Sequence, residues 1–242
     1  MRIVISQSMF FPWVGMLEQI KLADIFVHYD DVAFSKGSFT NRVQLKTPSG
    51  SRWLTLPLKD LHLGMKIQDV SVQAPELWFG KHKYLLQESL GSSPYANDAL
   101  ALYDSVLSSH QHGSLSEIAR ASMLALVNYF NLHERVTFLD SRDLAIGGEG
   151  SDRVLAIVKE LGGTEYITGH GARHYLNHQK FFDAGVEVEY MNYHCMAYPQ
   201  QHGAFTPYVS ALDLIANCGH MGIDVMQSTT RNWRSFLEKH DE

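Results

Sequence analysis

Cysteine is scarce in this sequence, with only Cys195 and Cys218 in 242 residues. Two thiols do not make the disulfide framework of a small secreted domain, and they form no Cys-x-x-Cys pair for a metal or redox site. They point to a reducing compartment, so the expectation is a cytoplasmic protein. Long apolar runs are missing as well. No stretch approaches the roughly 20 residues of a membrane-spanning helix, and polar residues interrupt the opening MRIVISQSMFF too early for a secretory leader. There is no Lys/Arg-rich tract, and the net charge is -6, which argues against a nucleic-acid surface. Gly-x-Ser-x-Gly, Walker and Gly-x-Gly-x-x-Gly loops are also absent, which removes the commonest hydrolase, NTPase and dinucleotide readings. With no repeat, low-complexity segment or Pro/Ser linker, residues 1–242 read as a single domain.

What is present is an alternation of strands and helices. RIVI (2–5) reads as a short buried strand, MLEQIKLA carries helical spacing, and DIFVHYDDV (24–32) reads as a second strand. Together they make a βαβ unit with parallel strands. NRVQLKTPSGSRWLTLPL alternates around Pro48-Ser49-Gly50 and predicts a β-hairpin. From about 75 to 132 three amphipathic stretches predict a helical insert, the last capped by Ser114 or Ser116. Strand–helix alternation then returns over the last hundred residues. One helix is expected over HYLNHQKFFDAG (174–185), and others are closed by Gly162-Gly163 and Gly219. The fold class expected is α/β, a mostly parallel sheet with a Rossmann-like start, a hairpin and a helical insert.

In an open parallel sheet, ligands bind beyond the carboxyl ends of the strands. The residues there carry two readings each. In SQSMFFPWVG, Phe10, Phe11 and Trp13 either plug the top of the sheet or flank a turn, shaped by Pro12 and Gly15, whose backbone N–H groups face an anion. Asp30 and Asp31 are either a helix cap or a solvated strand end, or one of them points into the site as a general base or a divalent-metal ligand, since adjacency aims them in opposite directions. GHGAR (169–173) is either a tight turn needing positive φ at Gly169 or Gly171, or a phosphate or carboxylate loop completed by Arg173. His170, His174 and His178 fall at i, i+4 and i+8, a spacing that suits zinc on one helix face. Thirteen histidines make chance spacings common, so no metal or cofactor is assigned.

Several segments together resemble the WbqC-like family, bacterial proteins often linked to O-antigen and other surface-polysaccharide biosynthesis. They are ISQSMFFPWVG, DIFVHYDDV, FSKGSFTNRVQLKTPSGSRWLTLPL, SDRVLAIVKELGGTEYITGHGARHYL and YPQQHGAFTPYVSALDL, in family order across nearly the whole chain. Ser6 and Ser8 depart from the family's His and Pro around Gln7. The resemblance implies action on a nucleotide-activated amino sugar, with transfer of an acyl or aminoacyl group. A non-catalytic nucleotide-sugar-binding or scaffolding partner of glycosyltransferases is the alternative, and a metal-dependent hydrolase using the histidine row a weaker one. Matched positions become site candidates: Gln7, Trp13, Gly15, Asp30, Asp31, Lys36, Asn41 and Arg42, then Lys46, Gly169, Gly171, Arg173, Tyr175 and Gln200. Lys36, Arg42, Lys46 and Arg173 together would neutralise a diphosphate, each charge-assisted hydrogen bond contributing about 1.5–3 kcal/mol. At the level of fold alone, the start also resembles HIGH-type nucleotidyltransferases, although Trp13-Val14-Gly15-Met16 lacks both histidines of their phosphate-holding turn.

Overall fold

The computed structural model describes residues 1–238. Its first strand, β1 (Arg2–Ser6), buries Ile3, Val4 and Ile5 in succession, as a strand covered on both faces requires. The chain turns through FFPWVG into α1 (Val14–Leu22) and returns as β2 (Ile25–His28), parallel to β1 with Ile3 opposite Ile25. That is the expected βαβ start. The second strand is shorter than the expected 24–32, so Asp30 and Asp31 lie in the loop beyond it.

The hairpin follows as β3 (Arg42–Thr47) and β4 (Gly50–Thr55), in register Thr47 to Gly50, with Gly50 at φ +104° where side-chain-bearing residues are strained. A small antiparallel pair, β5 (Leu58–Lys59) and β6 (Ser71–Val72), leads to the insert helices α2 (Phe79–Leu90), α3 (Ala96–His110) and α4 (Leu115–Tyr129). Ser114 makes the cap of α4. Its hydroxyl accepts from the Glu117 N–H at 3.3 Å while its own N–H donates to the Glu117 carboxylate at 2.6 Å.

The last third holds β7 (Thr137–Asp140), α5 (Gly150–Glu160), β8 (Glu165–Thr168), α6 (His178–Asp183), β9 (Glu187–Asn192), α7 (Ala211–Cys218), β10 (Thr229–Asn232) and α8 (Trp233–Glu238). The helix expected over 174–185 is shorter and begins only at His178. A 3₁₀ turn covers His170–His174, and Asn177 then caps α6 by accepting from the Lys180 N–H at 3.1 Å. The histidine row therefore does not share a helix face. The polar strand TTRN, which carries no apolar alternation, pairs antiparallel with β9 along its outer edge.

Strand order is β10-β9-β8-β1-β2-β7, parallel except for β10. Val4, Phe26, Ile167 and Met191 face one side and pack with α1, α7 and the insert helices. Ile3, Val27, Tyr166 and Tyr190 face the other, against α5, α6 and α8. From β1 the order runs outward both ways, and that reversal opens a crevice between the carboxyl ends of β1 and β8.

Candidate functional site

An open cleft of about 1220 Å³ occupies this crevice. Ser6 and Gln7 reach it from the end of β1, Thr168 to Gly171 from the end of β8, and Trp13 and Met16 from the start of α1. Tyr29 and Asp31 border it beyond β2, and Ala145–Gly150 with Arg153 form the wall where α5 begins. Lys66 reaches it from the loop after β5.

The sequence FFPWVG divides its aromatics between two duties. Phe10 and Phe11 are fully buried and pack on Tyr103 of α3, Phe11 with its ring centroid at 5.0 Å. The turn between them and α1 is pinned from both sides, the Phe11 N–H donating to Ser122 Oγ at 2.8 Å and Ser210 Oγ donating to the Phe11 carbonyl at 2.7 Å. Trp13 turns instead to the cleft, 5.0 Å from the Tyr193 ring, which in turn lies 5.2 Å from His170. Gly15 is not in the cleft wall. A Cβ there would stand 2.3 Å from the Trp13 ring, so glycine is what lets the indole lie over the first turn of α1. No side chain caps that turn and no acidic residue lies in it, which leaves the helix end receptive to negative charge.

The two adjacent aspartates have different fates. Asp30 is fully buried and saturated: it accepts from the Ser8 N–H at 2.8 Å, Ser8 Oγ at 2.7 Å, and Arg120 Nε and Nη2 at 3.0 and 2.9 Å. Arg120 also pairs with Asp140, so one guanidinium bridges two carboxylates. Asp31 borders the cleft, where it accepts from Arg153 and from Ser141 Oγ at 2.7 Å. Burial alone would raise its carboxyl, but those hydrogen bonds outweigh it and hold the group below its ordinary value. Arg153 is itself fixed, its Nε donating to the Ile146 carbonyl at 2.8 Å and its guanidinium lying 4.8 Å from the Tyr29 ring. Ser8 sits below the cleft with Nδ1 of His28 at 2.9 Å from its hydroxyl. Burial, with Arg120 nearby, lowers His28 to about 3, so this imidazole is neutral.

Of the remaining candidates, Gln7, Gly169, Gly171 and Tyr175 reach the cleft. Neither glycine has positive φ, so the tight-turn requirement does not explain them. A Cβ on Gly171 would meet nothing within 4 Å. The four cations expected around a diphosphate are dispersed, and this is a correction. Lys36 is exposed on the loop before the hairpin, and Arg173 is exposed with its Nε 3.2 Å from His174. Arg42 lies 4.2 Å over Trp53 and donates to the Gly37 carbonyl. Lys46 is buried, donating to the Gly203 carbonyl at 2.8 Å and to Gln200 at 3.3 Å. Lys46 and Gln200 thus meet each other, as a strut between β3 and the 198–206 loop. Asn41 donates to the Leu56 carbonyl at the base of the hairpin. His170 and His178 turn to the Met191 carbonyl and the Tyr190 hydroxyl, and among the described residues no group of three or more His, Cys, Asp or Glu is placed to hold a metal ion.

Arg120, Arg153, Lys66 and the AIGGEG loop escaped the sequence reading. An arginine inside an amphipathic helix looks like solvated surface until its carboxylate is located. The glycines of AIGGEG were a visible signal, with Gly148 before α5 and Gly150 at its first position both at positive φ.

An uncharacterised protein of Mycobacterium tuberculosis is 26% identical over 228 residues, covering 93% of this chain and 97% of the relative. No solved structure matches the chain. The family model for WbqC-like proteins matches residues 7–225. That span begins at Gln7 on the cleft floor and takes in every cleft-lining segment after Ser6, and on it the chain belongs to the WbqC-like protein family.

Proposed function

We propose that the cleft binds a nucleotide-activated amino sugar and that the protein transfers an acyl or aminoacyl group to it, as a cytoplasmic enzyme of bacterial surface-polysaccharide assembly of the O-antigen type. The observation that carries this reading is the cleft's position and lining. It lies at the reversal of strand order, with Trp13 and Tyr193 as an aromatic wall and Gln7 presenting an amide. Aromatic faces stack on a base or a sugar, and polar groups fix orientation. Lys66, on the cleft wall, is a positive group for a phosphate. The substrate class itself comes from the family.

In this reading Asp31 receives the sugar amine. Its depressed carboxyl stays ionised and accepts a hydrogen bond from the amine in its neutral, nucleophilic form, and the proton lost on acylation passes to water in the open cleft. Asp30, saturated and out of contact with the cleft, holds the framework. A second reading is favoured by the same pairing: with both aspartates committed to arginines, the protein binds a nucleotide sugar for a glycosyltransferase and performs no chemistry.

The test is a thermal-shift panel of UDP-, dTDP-, CDP- and GDP-sugars, followed by mass analysis of the bound sugar after incubation with acyl-coenzyme A or with ATP and amino acids. A ligand at 100 times its Kd adds about 2.7 kcal/mol, a shift of several degrees for this size of chain. Trp13→Ala removes the shift, and Asp31→Asn weakens the shift given by an amino sugar and slows transfer with it. A flat panel refutes the nucleotide-sugar reading, and a shift without any mass change moves the function to the binding partner.

A further inference from the structure

A second groove, about 780 Å³, runs between β4 and α2. Its wall carries large apolar surface in water: Trp53 is 41% exposed, Leu77 62% and Tyr84 73%. Arg52, Lys81 and Glu88 stand among them. The floor is rigid, because His82 is bonded to the Thr55 carbonyl at 2.9 Å and to the Tyr103 hydroxyl at 2.7 Å. Trp53 is held too, under the Arg42 guanidinium, with the Phe39 ring 6.0 Å away. Phe39 in turn lines the main cleft. The two depressions therefore share one aromatic wall, Phe39 facing the first and Trp53 the second.

Exposed rings interleaved with charged donors and acceptors match the surface of a saccharide, whose C–H faces stack on aromatics while its hydroxyls bond to polar groups. Protein interfaces are depleted in lysine and glutamate, and both stand among these rings as Lys81 and Glu88, which a membrane contact would also disfavour. We infer that this groove binds a saccharide chain, which, on the reading that the main cleft holds a nucleotide-activated sugar, places a second, oligosaccharide-bearing substrate beside the first across the Phe39–Trp53 wall. A preformed floor and fixed indole reduce the ordering that such a ligand requires.

The four tryptophans, 13, 53, 78 and 233, make the test site-resolved. The protein is labelled with 5-fluorotryptophan, each ¹⁹F signal is assigned by a Trp→Phe replacement, and the full chain is titrated separately with a β-1,4-linked N-acetylglucosamine trisaccharide and with the nucleotide sugars. The trisaccharide is expected to move Trp53 and leave Trp233 unmoved, and Tyr84→Ala, at a solvent-exposed position, weakens that response at least tenfold without changing the Trp13 response to nucleotide sugar. Trp13 moving with nucleotide sugar while Trp53 stays silent up to 10 mM trisaccharide, a ceiling of about 2.7 kcal/mol on binding, overturns the groove alone. Trp53 moving while Trp13 is silent to every nucleotide sugar keeps the groove and overturns the main-cleft reading. A Trp53 signal that moves only with protein concentration assigns the groove to a second copy and overturns the saccharide.

Discussion

Asp30→Asn separates a framework role from a catalytic one. In the native site Oδ1 accepts only the Ser8 N–H, and an asparagine carbonyl can keep that bond. Oδ2 faces three donors, Ser8 Oγ, Arg120 Nε and Arg120 Nη2. An NH₂ group placed there can be met by a rotating hydroxyl but not by a guanidinium, which has no acceptor. Arg120 would lose two hydrogen bonds and one counter-charge and keep only Asp140. Breaking a buried pair by removing one partner costs about 3–5 kcal/mol, and because Asp140 remains, the lower end, about 3 kcal/mol, is expected. Arg120→Met, which leaves Asp30 without a counter-charge while Asp140 keeps Arg142, should cost about as much. Equilibrium urea unfolding of the wild type, both single variants and the double variant forms a cycle whose coupling energy should be about 2–3 kcal/mol. If Asp30→Asn lowers stability by less than about 1 kcal/mol and stops turnover with ligand binding intact, Asp30 is the base and the framework account is wrong.

Gly15→Ala should cost about 1–3 kcal/mol through overpacking against the Trp13 indole, despite alanine's better helix propensity; a lower Tm with a shifted tryptophan emission is the expected pair of readouts. Burial pushes the Asp213 carboxyl up to about 7, so between its ordinary value of 3.8 and 7 the native state holds a proton that the unfolded chain has released. Its contribution is full below 3.8 and lost as pH rises through 7, and Asp213→Asn should flatten urea stability across that window. For His28, lowered to about 3, the contribution is present above its ordinary 6.5 and lost as pH falls toward 3, so His28→Gln should reduce the acid sensitivity of the fold in that range. Ser114→Ala should cost about 1 kcal/mol, read from Tm, because it removes one half of the reciprocal cap on α4.

Much of the sheet was legible because its strands announce themselves. RIVI, TEYIT and VEVEYM are short β-branched or aromatic runs between glycines and helical stripes, and the hairpin declares its own turn. TTRN carried no such mark: it is a strand because β9 offers an unpaired edge, a tertiary cause that local pattern does not contain. The same division holds at the cleft. Gln7, Trp13 and GHGAR were readable from their place after strands. The expected cluster of Lys36, Arg42, Lys46 and Arg173 does not form: Lys36 and Arg173 face solvent, Arg42 takes the nearby Gly37 carbonyl and Trp53 indole, and Lys46 turns to the distant Gly203 carbonyl, a tertiary contact that local pattern does not contain. Arg120 and Arg153 were unreadable because their partners, Asp30 and Asp31, lie far away in the chain.

The position of β1 at the centre of the sheet also orders events during synthesis. One neighbour, β2, emerges at once, but the other, beginning at Glu165, appears only after the hairpin, the insert helices and α5 have been made. Until then the open side of β1 presents Ile3, Val4 and an unpaired edge, a template for wrong pairing. The early α1 and the insert helices cover one face meanwhile, and the opposite face waits for α5. Such non-local pairing is slow. The nascent chain must therefore shelter β1 until Glu165 and the residues after it have been made, and the ligand crevice comes into being only with the strand that ends that wait.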